Sequence, residues 1–169
     1  SSLSLVDTIS DANGNTLTVM KYDGTSWELV GIQGFSGYQL DYPSLAIDAS
    51  GIPYIALMDH NNASKATVME FNGSSWVYVG DPGFSEGTAG WTSLALDYAG
   101  RPYVAFSDGA NGSKSTVMKY NGSAWELVGS AGFSDKAAGY ISLALNASGA
   151  LYVAYKGGNY IPIPGLDNG

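Results

Sequence analysis

The sequence of 169 residues contains no cysteine and a single histidine, and only 13% of its residues are charged. The lack of cysteine excludes disulfides, thiolate metal sites and cysteine nucleophiles. No apolar run approaches the ~20 residues that a membrane-spanning helix needs, so no membrane span is predicted. Basic residues are also scarce, 7 against 15 acidic ones, and the net charge of -8 would repel a phosphate backbone. This balance argues against nucleic acid as a partner.

What the chain does have is apolar mass. Hydrophobic residues make up 45% of the sequence and aromatic residues 12%, enough for the core of one domain spanning residues 1–169. Low charge, the absence of thiols and abundant Gly, Ser, Asn and Tyr favour an extracellular or cell-surface location, although a cytosolic protein could share these features. The start at Ser1, without a charged and apolar leader, is expected of a chain that was processed or cut from a longer one.

A repeat of 49 residues organises the sequence. Residues 18–66 align with residues 67–115 without a gap, and 23 of the 49 positions are identical. The tryptophans Trp27, Trp76 and Trp125 keep this spacing, and a phenylalanine recurs with the same period. A fixed period of this length is typical of repeat architectures, in which each repeat is one supersecondary unit.

Each repeat predicts four short antiparallel strands and no helix. The first three are predicted at Ser44–Asp48, Pro53–Met58 and Thr67–Phe71. An Asn-Gly pair then signals a hairpin, and the fourth strand begins at Trp76. Four strands in 49 residues indicate one blade of a β-propeller. A β-sandwich or a trefoil would not explain this period.

The repeat is cut at both ends. It predicts complete blades at 43–79 and 92–128, a partial N-terminal blade at 17–31, a partial C-terminal blade at 141–156 and a tail at 157–169. A surplus second strand is predicted at Ser4–Ser10. Because three blades are too few to close a ring, we expect a head-to-tail homodimer of six blades. A fragment of a longer propeller or an open filament would show the same cut ends.

The unit TVMKYNGSAWELVG, followed by GFS and SLALN, resembles the tandem blades of secreted bacterial propeller proteins, loosely kelch-like. In plan the chain is also similar to small fucose lectins, which build a ring from few-blade chains. The resemblance implies a propeller and an oligomeric, lectin-like assembly. Blades of those lectins typically bring Arg, Glu and Trp to each sugar, whereas Arg101 is the single arginine here. The resemblance therefore does not imply fucose specificity.

An aromatic residue recurs just before the first strand of each blade, at Tyr42, Trp91 and Tyr140. Aromatic rings at a channel mouth or between blades can stack on the apolar face of a sugar, so these positions are candidate ligand contacts. The alternative is that they pack in the core between blades. For Trp27 and its two equivalents, packing between sheets is the prediction.

Asp59 and Asp108 end the second strand and open loops rich in oxygen-bearing side chains. We predict them as candidate ligand contacts. Calcium uses such oxygens, but Asp, Asn and Gly are also what turns require, and turn chemistry is the preferred explanation. No metal and no cofactor are predicted. His60 is interpreted as a solvated loop residue, and no catalytic residue is predicted.

These patterns favour a non-enzymatic binding module with repeated sites for glycans. A structural or engineered self-assembling scaffold is the second hypothesis. A glycosidase-like hydrolase is the third, because Asp48 and Asp97 recur at the end of the first strand and glycosidases need two facing carboxylates.

Overall fold

The computed structural model describes residues 16–158 and is built from β-strands. The predicted strand at Ser4–Ser10 and residues 159–169 of the predicted tail lie outside the described residues. None of the helices within 16–158 is long and apolar enough to cross a membrane. The twelve strands are β1 (Met20–Tyr22), β2 (Trp27–Leu29), β3 (Leu40–Ile47), β4 (Pro53–Asp59), β5 (Lys65–Phe71), β6 (Trp76–Tyr78), β7 (Ala89–Leu96), β8 (Pro102–Asp108), β9 (Lys114–Tyr120), β10 (Trp125–Leu127), β11 (Ala138–Leu145) and β12 (Leu151–Gly157).

Two four-stranded antiparallel sheets form the middle of the molecule, one with the order β3-β4-β5-β6 and one with the order β7-β8-β9-β10. Each has the strand order of the sequence, so each predicted group of four strands is confirmed as one sheet. Two-stranded sheets flank them. β1 and β2 correspond to the two outer strands of a unit, and β11 and β12 to the two inner ones.

The hairpin between β5 and β6 forms at Asn72-Gly73, as predicted. The Asn72 side-chain oxygen accepts hydrogen bonds from the backbone N–H groups of Ser74 and Ser75, both at 2.9 Å. Gly73 follows with φ of 97°, a conformation that side chains rarely adopt. The local sequence therefore specifies this turn through its own side chain and its glycine.

The prediction of no helix is wrong in detail. Two 3-10 helices of three residues each connect the second strand to the third, at His60–Asn62 and Gly109–Asn111. A single turn has no apolar period, so the sequence pattern did not reveal it. The first strand is also longer than predicted, because β3 begins at Leu40 rather than Ser44 and continues through a bulge.

Apolar side chains pack between neighbouring sheets. Ala56 and Val68 of one four-stranded sheet meet Leu94, Val104 and Phe106 of the next in a continuous buried cluster. A second cluster joins residues beside β1 and β2, among them Val19 and Val30, to the first of these sheets, and a third joins β11 and β12 to the second. The core is thus a series of similar interfaces, each between two consecutive sheets.

Two of the repeated tryptophans, Trp76 and Trp125, lie at these interfaces, whereas Trp27 is exposed. The indole N–H of Trp76 donates to the carbonyl of Val30 at 3.1 Å, and that of Trp125 donates to the carbonyl of Val79 at 2.9 Å. Each indole also stacks on the phenylalanine of the connection that precedes its sheet. The predicted packing between sheets is confirmed for both.

Candidate functional site

The predicted aromatic positions Tyr42, Trp91 and Tyr140 share one unusual backbone conformation. Their φ angles are 52°, 53° and 51°, in the left-handed region. In each case the pairing of the first strand with the second shifts register around the aromatic residue, which lies in a β-bulge two residues before the recurring Ser-Leu-Ala segment. Bulky residues avoid this region, and such a conformation costs about 1–3 kcal/mol. The fold holds it at all three positions.

The bulges bring the three rings into one row that crosses three sheets. The Tyr42 and Trp91 centroids are 5.0 Å apart with 41° between the planes, and those of Trp91 and Tyr140 are 4.2 Å apart with 34° between the planes. Both end members, Tyr42 and Tyr140, are exposed. We call these three residues the aromatic row.

Two glycines lie beneath the aromatic row, and sequence reasoning missed them. A Cβ on Gly139 would lie 3.3 Å from Nε1 of Trp91, and a Cβ on Gly90 would lie 3.9 Å from Cε2 of Tyr42. Each ring therefore covers backbone of the following sheet. The available signal was the glycine directly before Trp91 and before Tyr140, where the first unit has Asp41 instead.

Polar groups stand at both ends of the aromatic row. Beyond Tyr140, Lys156 Nζ lies 5.7 Å from the ring centroid, within the range of a cation–π contact. Beside Tyr42, Asp41 Oδ2 is 2.7 Å from Nε2 of His60, and Nδ1 of His60 is 3.1 Å from Oγ of Ser64. The prediction that His60 is a solvated loop residue is therefore incomplete, because its ring is held between the side chains of Asp41 and Ser64.

The group Ser64, His60 and Asp41 has the composition of a hydrolase triad, yet the position of the serine belongs to the turn. Ser113 occupies the same repeat position as Ser64 and has nearly the same φ, 59° against 58°. It does so although the residue equivalent to His60 in that unit is Gly109, so the conformation of the serine does not depend on the histidine. The side chains of His60 and Asp41 are more than a third exposed, where water competes for their hydrogen bonds. We assign this group to the polar edge of the aromatic row.

Asp59 and Asp108 are buried, and their carboxylates accept hydrogen bonds from groups of their own sheets and the adjoining turns. Asp59 accepts from the backbone N–H of Asn61 at 3.0 Å, from Asn62 Nδ2 at 2.8 Å and from Thr67 Oγ1 at 3.1 Å. Asp108 accepts the same three bonds in its sheet. That they contact a ligand stays a prediction, and the geometry favours the turn-capping alternative.

The carboxylates of the hydrolase hypothesis also hold turns. Asp48 Oδ1 accepts from two backbone N–H groups of its turn, at 2.9 and 2.8 Å. Asp97 does the same, and its Oδ2 is 2.7 Å from Nε of Arg101, a contact that raises the pKa of that guanidinium. A groove of about 470 Å³ lies between the Asp97–Arg101 turn and the equivalent turn at Asn146. It opens at the opposite end of β7 from Trp91.

The residues described contain no group of three or more His, Asp or Glu side chains that could hold a metal ion. The pKa of Tyr38 is raised by burial and by the hydrogen bond between its hydroxyl and that of Tyr78, at 3.1 Å. This pair links the connection before β3 to β6.

No protein-family model and no curated protein matches the chain. A solved structure of a protein of unknown function from Dyadobacter fermentans DSM 18053 is similar, with a TM-score of 0.57 and 16% identity. The match covers 89% of this chain and 53% of that one, so the chain spans about half the length of this relative. The likeness shows the fold alone. A fucose lectin from Kordia zhangzhouensis in complex with methyl-fucoside matches at a TM-score of 0.47 and 14% identity, over 72% of this chain and 86% of that one.

Proposed function

We propose that the protein is a non-enzymatic β-propeller module that binds carbohydrate through Tyr42, Trp91 and Tyr140, in a six-bladed ring completed head to tail by a second copy. The observation that carries the proposal is the aromatic row. Three bulky residues adopt a left-handed conformation at the same repeat position, and a packing role alone does not require this conformation. Strained backbone of this kind is concentrated at ligand-binding positions.

The chemistry of the aromatic row suits a sugar. The apolar face of a pyranose stacks on an aromatic ring while its hydroxyl groups bond to polar side chains nearby. Lys156 at one end and the Asp41–His60 pair at the other supply such groups. Repetition around a ring would let several weak sites engage one glycan-coated surface together, which fits an extracellular or cell-surface protein.

Replacement of Trp91 tests the site. On a glycan array followed by calorimetry with the best ligand, Trp91→Ala is expected to weaken binding about tenfold, the equivalent of the ~1.4 kcal/mol that an aromatic contact supplies. Trp91→Tyr should retain binding, because tyrosine occupies this position in the other two units. Tyr98→Ala, at the opposite end of β7, is the matched aromatic control. Unchanged binding by a folded Trp91→Ala variant would contradict the proposed site.

The second candidate is a self-assembling scaffold without a ligand. It is favoured by the uniform packing between consecutive sheets, in which the same tryptophan contact recurs from unit to unit. The two functions separate on the array, since a scaffold would form its assembly but bind none of the glycans.

A further inference from the structure

The repeated tryptophan differs in exposure between the end and the middle of the chain. Trp27 is 65% exposed, whereas Trp76 is 9% exposed. Trp76 is covered because its indole bonds to the Val30 carbonyl and stacks on Phe35 at 4.9 Å, both from the preceding unit. Trp27 belongs to the first unit of the described residues, and the preceding unit that would cover it is not among them.

The other end of the chain carries the matching surface. A Cβ on Gly80 would lie 2.9 Å from Nε1 of Trp125, and one on Gly31 would lie 3.3 Å from Nε1 of Trp76. Beside Gly129, the next glycine of the series, no atom of residues 16–158 lies within 4 Å of that position. Phe133, the last phenylalanine of its series, is exposed. The surface that receives a tryptophan in two places is thus present a third time and open.

The inner strands repeat the pattern with opposite ends exposed. Leu94 is 6% exposed beneath the Tyr54 side of the preceding sheet, but the equivalent Leu45 is 49% exposed. Conversely, Tyr54 is 9% exposed and its equivalent Tyr152, in the last sheet, is 63% exposed. Among the described residues, Leu45 therefore has no tyrosine packed over it, and Tyr152 has no leucine packed against it.

Backbone-to-serine hydrogen bonds follow the same order. Leu94 N donates to Ser44 Oγ at 2.9 Å, and Leu143 N donates to Ser93 Oγ at 2.9 Å. Each bond crosses from one sheet to the serine of the preceding sheet. Continued by one step, the series joins the serine at position 142 to the first strand of another unit.

We infer that these two end surfaces bind each other between two copies of the chain, in the register that recurs inside it. The inference deepens the second-copy part of the proposed function and does not depend on the glycan. β12 of one copy would pair antiparallel with β1 of the other, with Tyr152 opposite Lys21, as Tyr103 is opposite Lys119. The two-stranded sheets would then become four-stranded ones, which removes their unpaired edges.

Trp27 of one copy then donates its indole N–H to the carbonyl of Val128 in the other and stacks on Phe133, beside Gly129. The surfaces are different patches on one chain, so the contact is heterologous, and such contacts form either rings or open filaments. The described residues of each copy contribute the equivalent of three sheets of four strands. Two copies give six, within the 4–8 that propellers use, whereas one or three copies fall outside it.

The aromatic row continues across the same junction. The Tyr42 ring lies over Gly90 of the following sheet, so Tyr140 would lie over Asp41 of the second copy. A Cβ on Gly90 would be 3.9 Å from the Tyr42 ring, an ordinary contact, so a tyrosine admits the Cβ of a larger residue at this position. Lys156 lies 5.7 Å from the Tyr140 ring centroid, so a Tyr140 ring over Asp41 of the second copy would bring this positive charge near that carboxylate. The two ends are therefore complementary in charge as well as shape.

Light scattering after gel filtration tests the inference on the 169-residue chain. One species at twice the 17.6 kDa of a chain is expected, and Trp27→Ala should halve that mass. Leu45→Glu gives a second route to the same loss if Trp27→Ala is poorly folded by circular dichroism. Tyr98→Ala, almost fully exposed but outside both surfaces, should keep the double mass. A monomer, or an open polymer, for the unmodified chain overturns the inference.

Mixing two defective variants tests the heterologous geometry. Trp27→Ala damages one surface, and Tyr152→Glu damages the other. A mixture retains one intact junction, so the double mass should return at concentrations where each variant alone is monomeric. No recovery on mixing would overturn the head-to-tail arrangement. A dimer that binds no glycan would leave this inference standing and contradict only the carbohydrate ligand.

Discussion

Replacing Asp108 with alanine should destabilise the protein severely, although Asp108 lies at the end of a strand beside a surface loop. Its carboxylate accepts from Ala110 N at 3.0 Å, from Asn111 Nδ2 at 2.8 Å and from Thr116 Oγ1 at 2.8 Å. Thr116 is 1% exposed, so water cannot replace the acceptor that its hydroxyl would lose.

The magnitude follows from these three donors. A buried donor without a partner costs ~1–3 kcal/mol, and loss of a capping side chain costs a further ~1 kcal/mol. We therefore expect Asp108→Ala to lower the free energy of unfolding by about 3 kcal/mol. For a chain of this size that corresponds to a fall in Tm of about 10 °C. Asp108→Asn keeps one acceptor oxygen and should lose less.

Urea denaturation followed by tryptophan fluorescence measures this loss, and the chain offers two comparisons. Asp59 makes the same three bonds in the other four-stranded sheet, so Asp59→Ala should behave alike. Asp23 caps its hairpin in a similar way but in full contact with water, so Asp23→Ala should lose much less. Equal effects for Asp108 and Asp23 would refute the reasoning. A gain in stability for Asp108→Ala would instead indicate a carboxylate kept for a ligand.

Three further outcomes are expected. Tyr140→Gly should be more stable than Tyr140→Ala by about 1 kcal/mol in thermal melts, because only glycine adopts φ of 51° without strain; the reverse order would contradict the strain. The pKa of Asp23 is lowered by backbone hydrogen bonds and that of Glu126 by Asn121. The two carboxylates thus contribute fully to stability at a pH above their ordinary pKa values of 3.8 and 4.5, and this contribution is lost as the pH falls through the lowered pKa values. Asp23→Asn and Glu126→Gln should therefore flatten the acid side of a profile of stability against pH. Trp125→Phe should lower the free energy of unfolding by about 1–2 kcal/mol, since its indole hydrogen bond is lost, whereas Trp27→Phe should change the melting of a dissociated chain little.

The 49-residue period was sufficient to predict the four-stranded sheets, because the strand patterns and the turn residues of each repeat indicate the same four strands. The Asn-Gly pair closes its hairpin through its own side chain, so a local pattern decides a local structure. Trp76 could likewise be placed between sheets because a large aromatic residue at a fixed period needs a partner at that period. Local and tertiary preferences coincide at these positions.

The details of the candidate site could not be predicted. Nothing in the residue types of Tyr42 or Trp91 signals a left-handed backbone, which such residues avoid unless the surrounding strands impose it. The contact between Asp41 and His60 joins residues 19 apart and occurs in one unit alone among those described, so the repeat gives no hint of it. Both depend on tertiary context.

Gly139 limits which substitutions neighbouring units can accept during evolution. The Trp91 ring approaches so closely that a Cβ there would lie at 3.3 Å, whereas the ring of Tyr42 leaves 3.9 Å above Gly90. A Cβ at 3.3 Å requires the neighbouring ring to shift by a few tenths of an ångström, whereas one at 3.9 Å is in ordinary contact. A larger residue is therefore disfavoured after a unit bearing tryptophan and fits more readily after one bearing tyrosine. The units are not fully interchangeable despite their likeness, and changes at residues 91 and 139 are coupled.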